Sequence, residues 1–197
     1  MDVAKTDARS SAVVKAGVRG VKLSQTKAVV QSNKVLLLAD ISGSMAGEKL
    51  EGLKRALRDI WKPGFECVGF GSDLYEITEQ DIDRLTTAGN TAMLAALEYA
   101  WQPGAPSHAV LLSDGMPTDA TPNTILEEVR KHPYCKVDTV GFFQDGYDRA
   151  EAERLLKSIA EATGGRYMHV SEPLKLSAAV QVLIDAPKAS FNEAIRL

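Results

Sequence analysis

Three short segments carry side-chain oxygens at spacings that could do chemistry: Asp40-Ile41-Ser42-Gly43-Ser44, Gly89-Asn90-Thr91 and Ser113-Asp114-Gly115. They offer two carboxylates (Asp40 and Asp114) and three hydroxyls (Ser42, Ser44 and Thr91), with no His or Cys among them. Hard oxygen donors of this kind select Mg²⁺ or Mn²⁺ over Zn²⁺ or Cu²⁺. Hydroxyls on a tight turn can face a cation directly while carboxylates hold its waters. Gly43 is expected to let that turn close far enough to aim both serines at one point. Taken singly, each residue also has an ordinary reading. Ser42 and Ser44 could cap the helix that follows them, Thr91 could cap the next, and Asp114 in Asp-Gly could form a turn.

The hydropathy pattern shows what must position these groups. Residues 35–39 are an unbroken apolar run ending in Asp40, which reads as a strand buried on both faces. Leu50, Leu53, Ala56, Leu57 and Ile60 then recur at helical spacing until Pro63-Gly64. Residues 65–70 read as a strand, and 74–77 as a short strand paired with it at the sheet edge. A helix is predicted over 91–101 and a buried strand over 108–113, ending in Asp114. Helix 123–131, strand 137–143, helix 149–162 capped by Gly164-Gly165, strand 166–170 and helix 174–184 complete the pattern. This alternation predicts an α/β fold: a Rossmann-like, doubly wound, mostly parallel six-stranded sheet with one short antiparallel edge strand and helices on both faces. In such sheets ligands bind beyond the carboxyl ends of the strands, where Asp40 and Asp114 both fall. The expected division is an N-terminal arm at 1–33, one domain at 34–184 and a tail at 185–197.

Composition narrows the class. With 197 residues, 45% hydrophobic and 25% charged, the chain can bury a core without a disulfide or a metal. Disorder throughout, collagen and coiled coil are excluded. The net charge of −3 hides an asymmetry. Residues 1–34 hold seven Lys/Arg against two Asp, and the remainder 16 against 24, so a basic arm precedes an acidic body. The basic residues of the arm are spread out with no aromatic between them, which speaks against nucleic acid as a partner. No apolar run has the length of a membrane span and no leader pattern is present, so a cytoplasmic chain with two buried free thiols, Cys67 and Cys135, is expected. His108, His132 and His169 have no second ligand in pattern and read as structural or solvated, while Trp61 and Trp101 read as packing residues. Residues 115–121 and 144–148 flank the candidate site and are plausible specificity surfaces.

Asp-x-Ser-x-Ser closing a first apolar strand, a later Thr opening a helix and a later Asp-Gly after another apolar strand resemble the von Willebrand factor A domain, with its metal-ion-dependent adhesion site. Met45 and Pro117 add to the likeness, which covers residues 34–184 in element order. The resemblance implies that Ser42, Ser44 and Thr91 bind the cation directly. It implies that Asp40 and Asp114 hold its waters, or that one of them binds directly in another state. The cation would be Mg²⁺, or else Mn²⁺ or Ca²⁺, with an open position for an Asp or Glu from a protein partner. Intracellular single-domain members resemble microbial adaptors, some of which work with AAA+ ATPases of the MoxR type. The family strand order 3-2-1-4-5-6 would place three strand spacings between Cys67 and Cys135, too far for a disulfide.

Asn90 departs from the Gly that commonly precedes the Thr, which bears on local loop shape only. An assembly component with a vestigial site, binding through its basic arm, is an alternative. An Mg²⁺-dependent phosphatase of the haloacid dehalogenase type would also place an Asp after the first strand. Its general acid would stand two residues on, where this chain has Ser42. No nucleophile elbow, phosphate-binding loop or dinucleotide fingerprint is present, so no enzyme activity is expected.

Overall fold

The apolar run that ends in Asp40 is the centre of a six-stranded sheet. A computed structural model describes residues 34–63, 65–143 and 149–185. The expected arm at 1–33, the segments 144–148 and 186–197, and Gly64 lie outside the described residues. In chain order the elements are β1 (Leu36–Asp40), α1 (Glu48–Ile60), β2 (Glu66–Phe70), β3 (Leu74–Ile77), α2 (Met93–Ala100), β4 (His108–Ser113), α3 (Pro122–Lys131), β5 (Lys136–Phe142), α4 (Arg149–Ala162), β6 (Tyr167–Val170) and α5 (Leu176–Asp185). Strand order is β3-β2-β1-β4-β5-β6, with β3 antiparallel to β2 and every other pair parallel. The doubly wound architecture read from the sequence is therefore the observed one.

Alternation along each strand feeds two cores. Leu37 and Ala39 of β1 pack with Val110 and Leu112 of β4 beneath α1 and α5. Leu36 and Leu38 pack with Ala109 and Leu111 beneath α2, α3 and α4. This period of two puts Asp40 and Ser113, the last residues of adjacent strands, on the same sheet face. Cys67 and Cys135 are buried and free, and lie in opposite cores.

Two details differ from the sequence reading. A 3₁₀ segment, Glu79–Arg84, follows β3 and is held by reciprocal bonds between Thr78 and Asp81. It buries Ile82 and, just beyond it, Leu85, in a stretch without a regular apolar period. Helix α2 begins at Met93 with Ala92 as its N-cap, so Thr91 stands before the helix rather than opening it. At the pole where β1 begins, Lys34, Val35, Lys62, Phe65, Ile184 and Asp185 line a small cavity, and Lys62 pairs with Asp185 at 3.8 Å. Among the described residues no helix is long and apolar enough to cross a membrane.

Candidate metal centre

At the carboxyl ends of β1 and β4, four of the five singled-out residues join in two short hydrogen-bond chains. Asp40 is fully buried. Its Oδ1 accepts from the Ser42 backbone N–H at 2.8 Å, and its Oδ2 accepts from the Ser113 hydroxyl at 2.6 Å. The Ser42 and Ser44 hydroxyls lie 3.0 Å apart, and Ser44 donates to Asp114 Oδ1 at 2.7 Å. The second Asp114 oxygen takes a hydrogen bond from the Lys49 ammonium, which also reaches the Ser44 carbonyl at 3.3 Å.

Thr91 arrives on a loop stitched to these strand ends. Ala88 N–H donates to the Ile41 carbonyl at 2.7 Å, Gly43 N–H to Gly89 at 2.8 Å, and Ala92 N–H to Gly71 at 2.8 Å. On its other side, Thr91 N–H donates to the Thr118 hydroxyl at 3.0 Å, and Thr118 N–H donates back to the Thr91 carbonyl at 2.9 Å. Thr91 is buried as a residue, its hydroxyl takes part in none of the hydrogen bonds among the described residues, and that oxygen is not one of the fully buried unpartnered atoms. Its backbone is fixed while its one side-chain oxygen is left over.

The helix-capping explanation of these hydroxyls fails on geometry. Ser42 precedes the 3₁₀ turn Gly43–Met45 without a side-chain capping bond, the N-cap of α1 is Gly47, and the N-cap of α2 is Ala92. By contrast Thr121 does cap α3, accepting from Thr124 N–H at 3.2 Å. The role assigned to Gly43 also needs correction. Its φ is not in the left-handed region, and a Cβ there would meet only the Gly89 carbonyl, at 3.4 Å. The constraint falls on Gly89, with φ of +64° and Ser72 Oγ 2.2 Å from where a Cβ would stand. The Ser72 hydroxyl accepts from Asn90 N–H at 2.9 Å, so the close approach is part of the loop.

Two of the buried aspartates, Asp138 and Asp40, have opposite electrostatics. Burial alone would raise the Asp138 carboxyl. Hydrogen bonds from His108 and Arg166, with Lys136 nearby, outweigh it and hold Asp138 well below the ordinary carboxylate range. Burial likewise raises Asp40, there opposed only by the neutral donors Ser113 and Ser42, and the nearby Asp114 charge adds to the rise. The Asp40 carboxyl is thereby pushed up to about 6. Asp138, at the far ends of the strands, is a satisfied structural ion. Asp40 is a buried negative charge that no described cation pairs with.

The residues present fit a hard divalent cation. Among the described residues no three His, Cys, Asp or Glu gather at metal-binding range. The donors on offer are two carboxylates and the hydroxyls of Ser42, Ser44 and Thr91, an all-oxygen set of low charge. None of those hydroxyls is hydrogen-bonded to an imidazole. His108 pairs with Asp138, and His132 stacks on Trp101, with ring centroids 4.2 Å apart. Three participants were not singled out from the sequence. Ser113 was legible as Asp40's neighbour only through strand parity. Lys49 and Thr118 come in through tertiary approach.

Comparison with known proteins places the chain. No curated protein matches the sequence. The model of the von Willebrand factor type A domain matches residues 59–169, more than half of the chain; this stretch contains Thr91 and Asp114 but begins after the Asp40–Ser44 segment. Among solved structures, an aerotolerance-related membrane protein from Bacteroides fragilis is similar with TM-score 0.56 and 18% identity, covering 77% of this chain and 98% of that one. The SpRpn10 VWA domain is similar with TM-score 0.54 and 12% identity, covering 82% and 100%. Proximal thread matrix protein 1 from the mussel byssus, solved with a zinc-occupied MIDAS motif, is similar with TM-score 0.54 and 16% identity, covering 79% of this chain and 48% of that one. The chain thus spans about half the length of the byssus protein, and at these identities the likeness is one of fold. The strand order, the site at the carboxyl ends of β1 and β4 and the family match agree: this chain belongs to the von Willebrand factor type A domain family.

Proposed function

We propose that residues 34–184 form a divalent-cation-dependent protein-binding module that captures an exposed Asp or Glu of a protein partner. The observation that carries this reading is Asp40: a fully buried carboxylate with only neutral donors, beside hydroxyls that cap nothing. Ser42, Ser44 and Thr91 would hold the cation, and Asp40 and Asp114 would orient its waters. A cation held mainly by neutral oxygens stays electrophilic and favours a carboxylate from outside. Mg²⁺ or Mn²⁺ suits this donor set best, Ca²⁺ is a third candidate, and the zinc named for the byssus protein makes Zn²⁺ a necessary comparison.

The reading is of a binding module and not an enzyme, since none of the site hydroxyls is paired with an imidazole and no acid stands at Ser42. Residues 115–121 form part of the rim, with Thr118 and Asp119 exposed. The arm at 1–33 and the tail from 185 would be appendages, the setting cytoplasmic, and the partner a cytoplasmic protein such as an ATPase subunit.

Thermal unfolding with Mg²⁺, Mn²⁺, Ca²⁺ or Zn²⁺ tests the site. A cation at 100 times its Kd stabilises by about 2.7 kcal/mol, roughly 5–10 °C for a domain of this size. Wild type should show that rise, and Asp40→Asn and Thr91→Ala much less. Equal stabilisation of all three proteins would refute the metal site. Pull-down with metal and with chelator then tests the partner, whose retention in chelator would refute capture through a cation.

A further inference from the structure

Lys49 is oddly placed. It lies in the first turn of α1, after Glu48, where the helix dipole disfavours a cation. Its ammonium nevertheless bends back across the start of the helix to Asp114 Oδ2 and the Ser44 carbonyl, with only 17% of its side chain exposed and none of Asp114's. Asp114 is thus shared between a hydroxyl on one oxygen and a tethered ammonium on the other. The same ammonium makes no hydrogen bond to Asp40, whose partners are Ser42 and Ser113.

We infer that Lys49 sets the cation affinity of the site by competing for Asp114. The inference rests on the metal site proposed above. A divalent cation and the ammonium draw on the same carboxylate and repel each other across it, so loading the site works against the Lys49–Asp114 pair. Lys49 therefore keeps affinity lower than the oxygen donors alone would give. Removing its charge leaves Asp114 with Ser44 as its remaining partner and strengthens that carboxylate's pull on a cation.

The test is calorimetric titration with Mn²⁺ and with Mg²⁺ of wild type, Lys49→Met, Lys49→Arg and Thr91→Ala, each first shown to be folded by circular dichroism. Lys49→Met keeps the stem and removes the charge. It should bind Mn²⁺ roughly tenfold tighter, a difference of about 1.4 kcal/mol. Lys49→Arg keeps the charge and should stay within about threefold of wild type, which a purely packing role for the side chain would not produce. Unchanged affinity in Lys49→Met overturns the competition, and weaker affinity shows instead that Lys49 holds Asp114 in place for the metal. In both cases loss of binding in Thr91→Ala leaves the metal site itself standing. If neither wild type nor Lys49→Met binds Mn²⁺, the metal site and the competition fall together.

Discussion

Asp40→Asn should stabilise this domain when no cation is supplied and abolish most of its response when one is. Burial pushes the Asp40 carboxyl from an ordinary 3.8 up to about 6. A gap of about 2 pH units at 1.36 kcal/mol each means that ionised Asp40 costs the fold up to about 3 kcal/mol. The direction follows from which state holds the proton more tightly. Here it is the folded state, so wild-type stability falls as pH rises from about 4 to about 6 and this contribution is flat above. Asparagine removes the charge and keeps the shape. Its carbonyl can still accept from Ser42 N–H, and its amide can donate to Ser113 Oγ, whose own proton has the Gly115 carbonyl 3.4 Å away. Discounting for imperfect hydrogen bonds, a gain of about 1–2 kcal/mol remains, or roughly 2–8 °C in Tm. Urea denaturation of both proteins in chelator at pH 4.0 and 7.5, repeated at pH 7.5 with Mn²⁺, measures it. The variant should be more stable at pH 7.5, no more stable than wild type at pH 4.0, and overtaken by wild type when Mn²⁺ is added. A variant less stable than wild type at pH 7.5 in chelator would refute the reasoning, because Asp40 would then be satisfied by its own surroundings.

Asp138→Asn should do the opposite, losing on the order of 3 kcal/mol at neutral pH because His108, Lys136 and Arg166 lose their shared carboxylate. With the folded carboxyl held well below its ordinary value, wild type's advantage should be full above about pH 4 and shrink as pH falls further, as urea denaturation across pH would show. Gly89→Ala should cost about 1–3 kcal/mol and weaken Mn²⁺ binding, since a Cβ meets Ser72 Oγ at positive φ. Gly43→Ala should be tolerated within about 1 kcal/mol, and paired thermal melts compare the two. Burial pushes the Cys67 thiol up and Cys135 to about 11, so both should react with a thiol reagent only at the rate of unfolding.

The fold was legible because its central strands β1 and β4 are built on continuous apolar runs and helices such as α1 and α3 have one apolar face, so that period and length separated them. The five oxygen-bearing residues were legible because they stand at the boundaries between those elements. Ser113 was in view but had no role, since its bond to Asp40 depends on both strands ending in the same phase of the pleat. Lys49 looked like one more charged residue on a helix, because nothing local indicates that its ammonium turns back toward Asp114. The segment Glu79–Arg84 went unread because its one buried side chain, Ile82, and Leu85 just beyond it are too few to establish a period. Gly43 was credited with a freedom that belongs to Gly89, whose constraint comes from Ser72 on another loop.

The cavity beside Lys34 and Asp185 marks where both ends of the described body meet. Strand β1 runs from that pole to Asp40, about 17–20 Å along an extended chain. Anything joined before Lys34 or after Asp185 is therefore attached behind the candidate metal face. The domain has the geometry of a plug on a lead, with both of its attachment points at the pole opposite the candidate metal face. An affinity tag or surface anchor placed at either junction should leave cation and partner access untouched, and both junctions can be used at once without crossing the site.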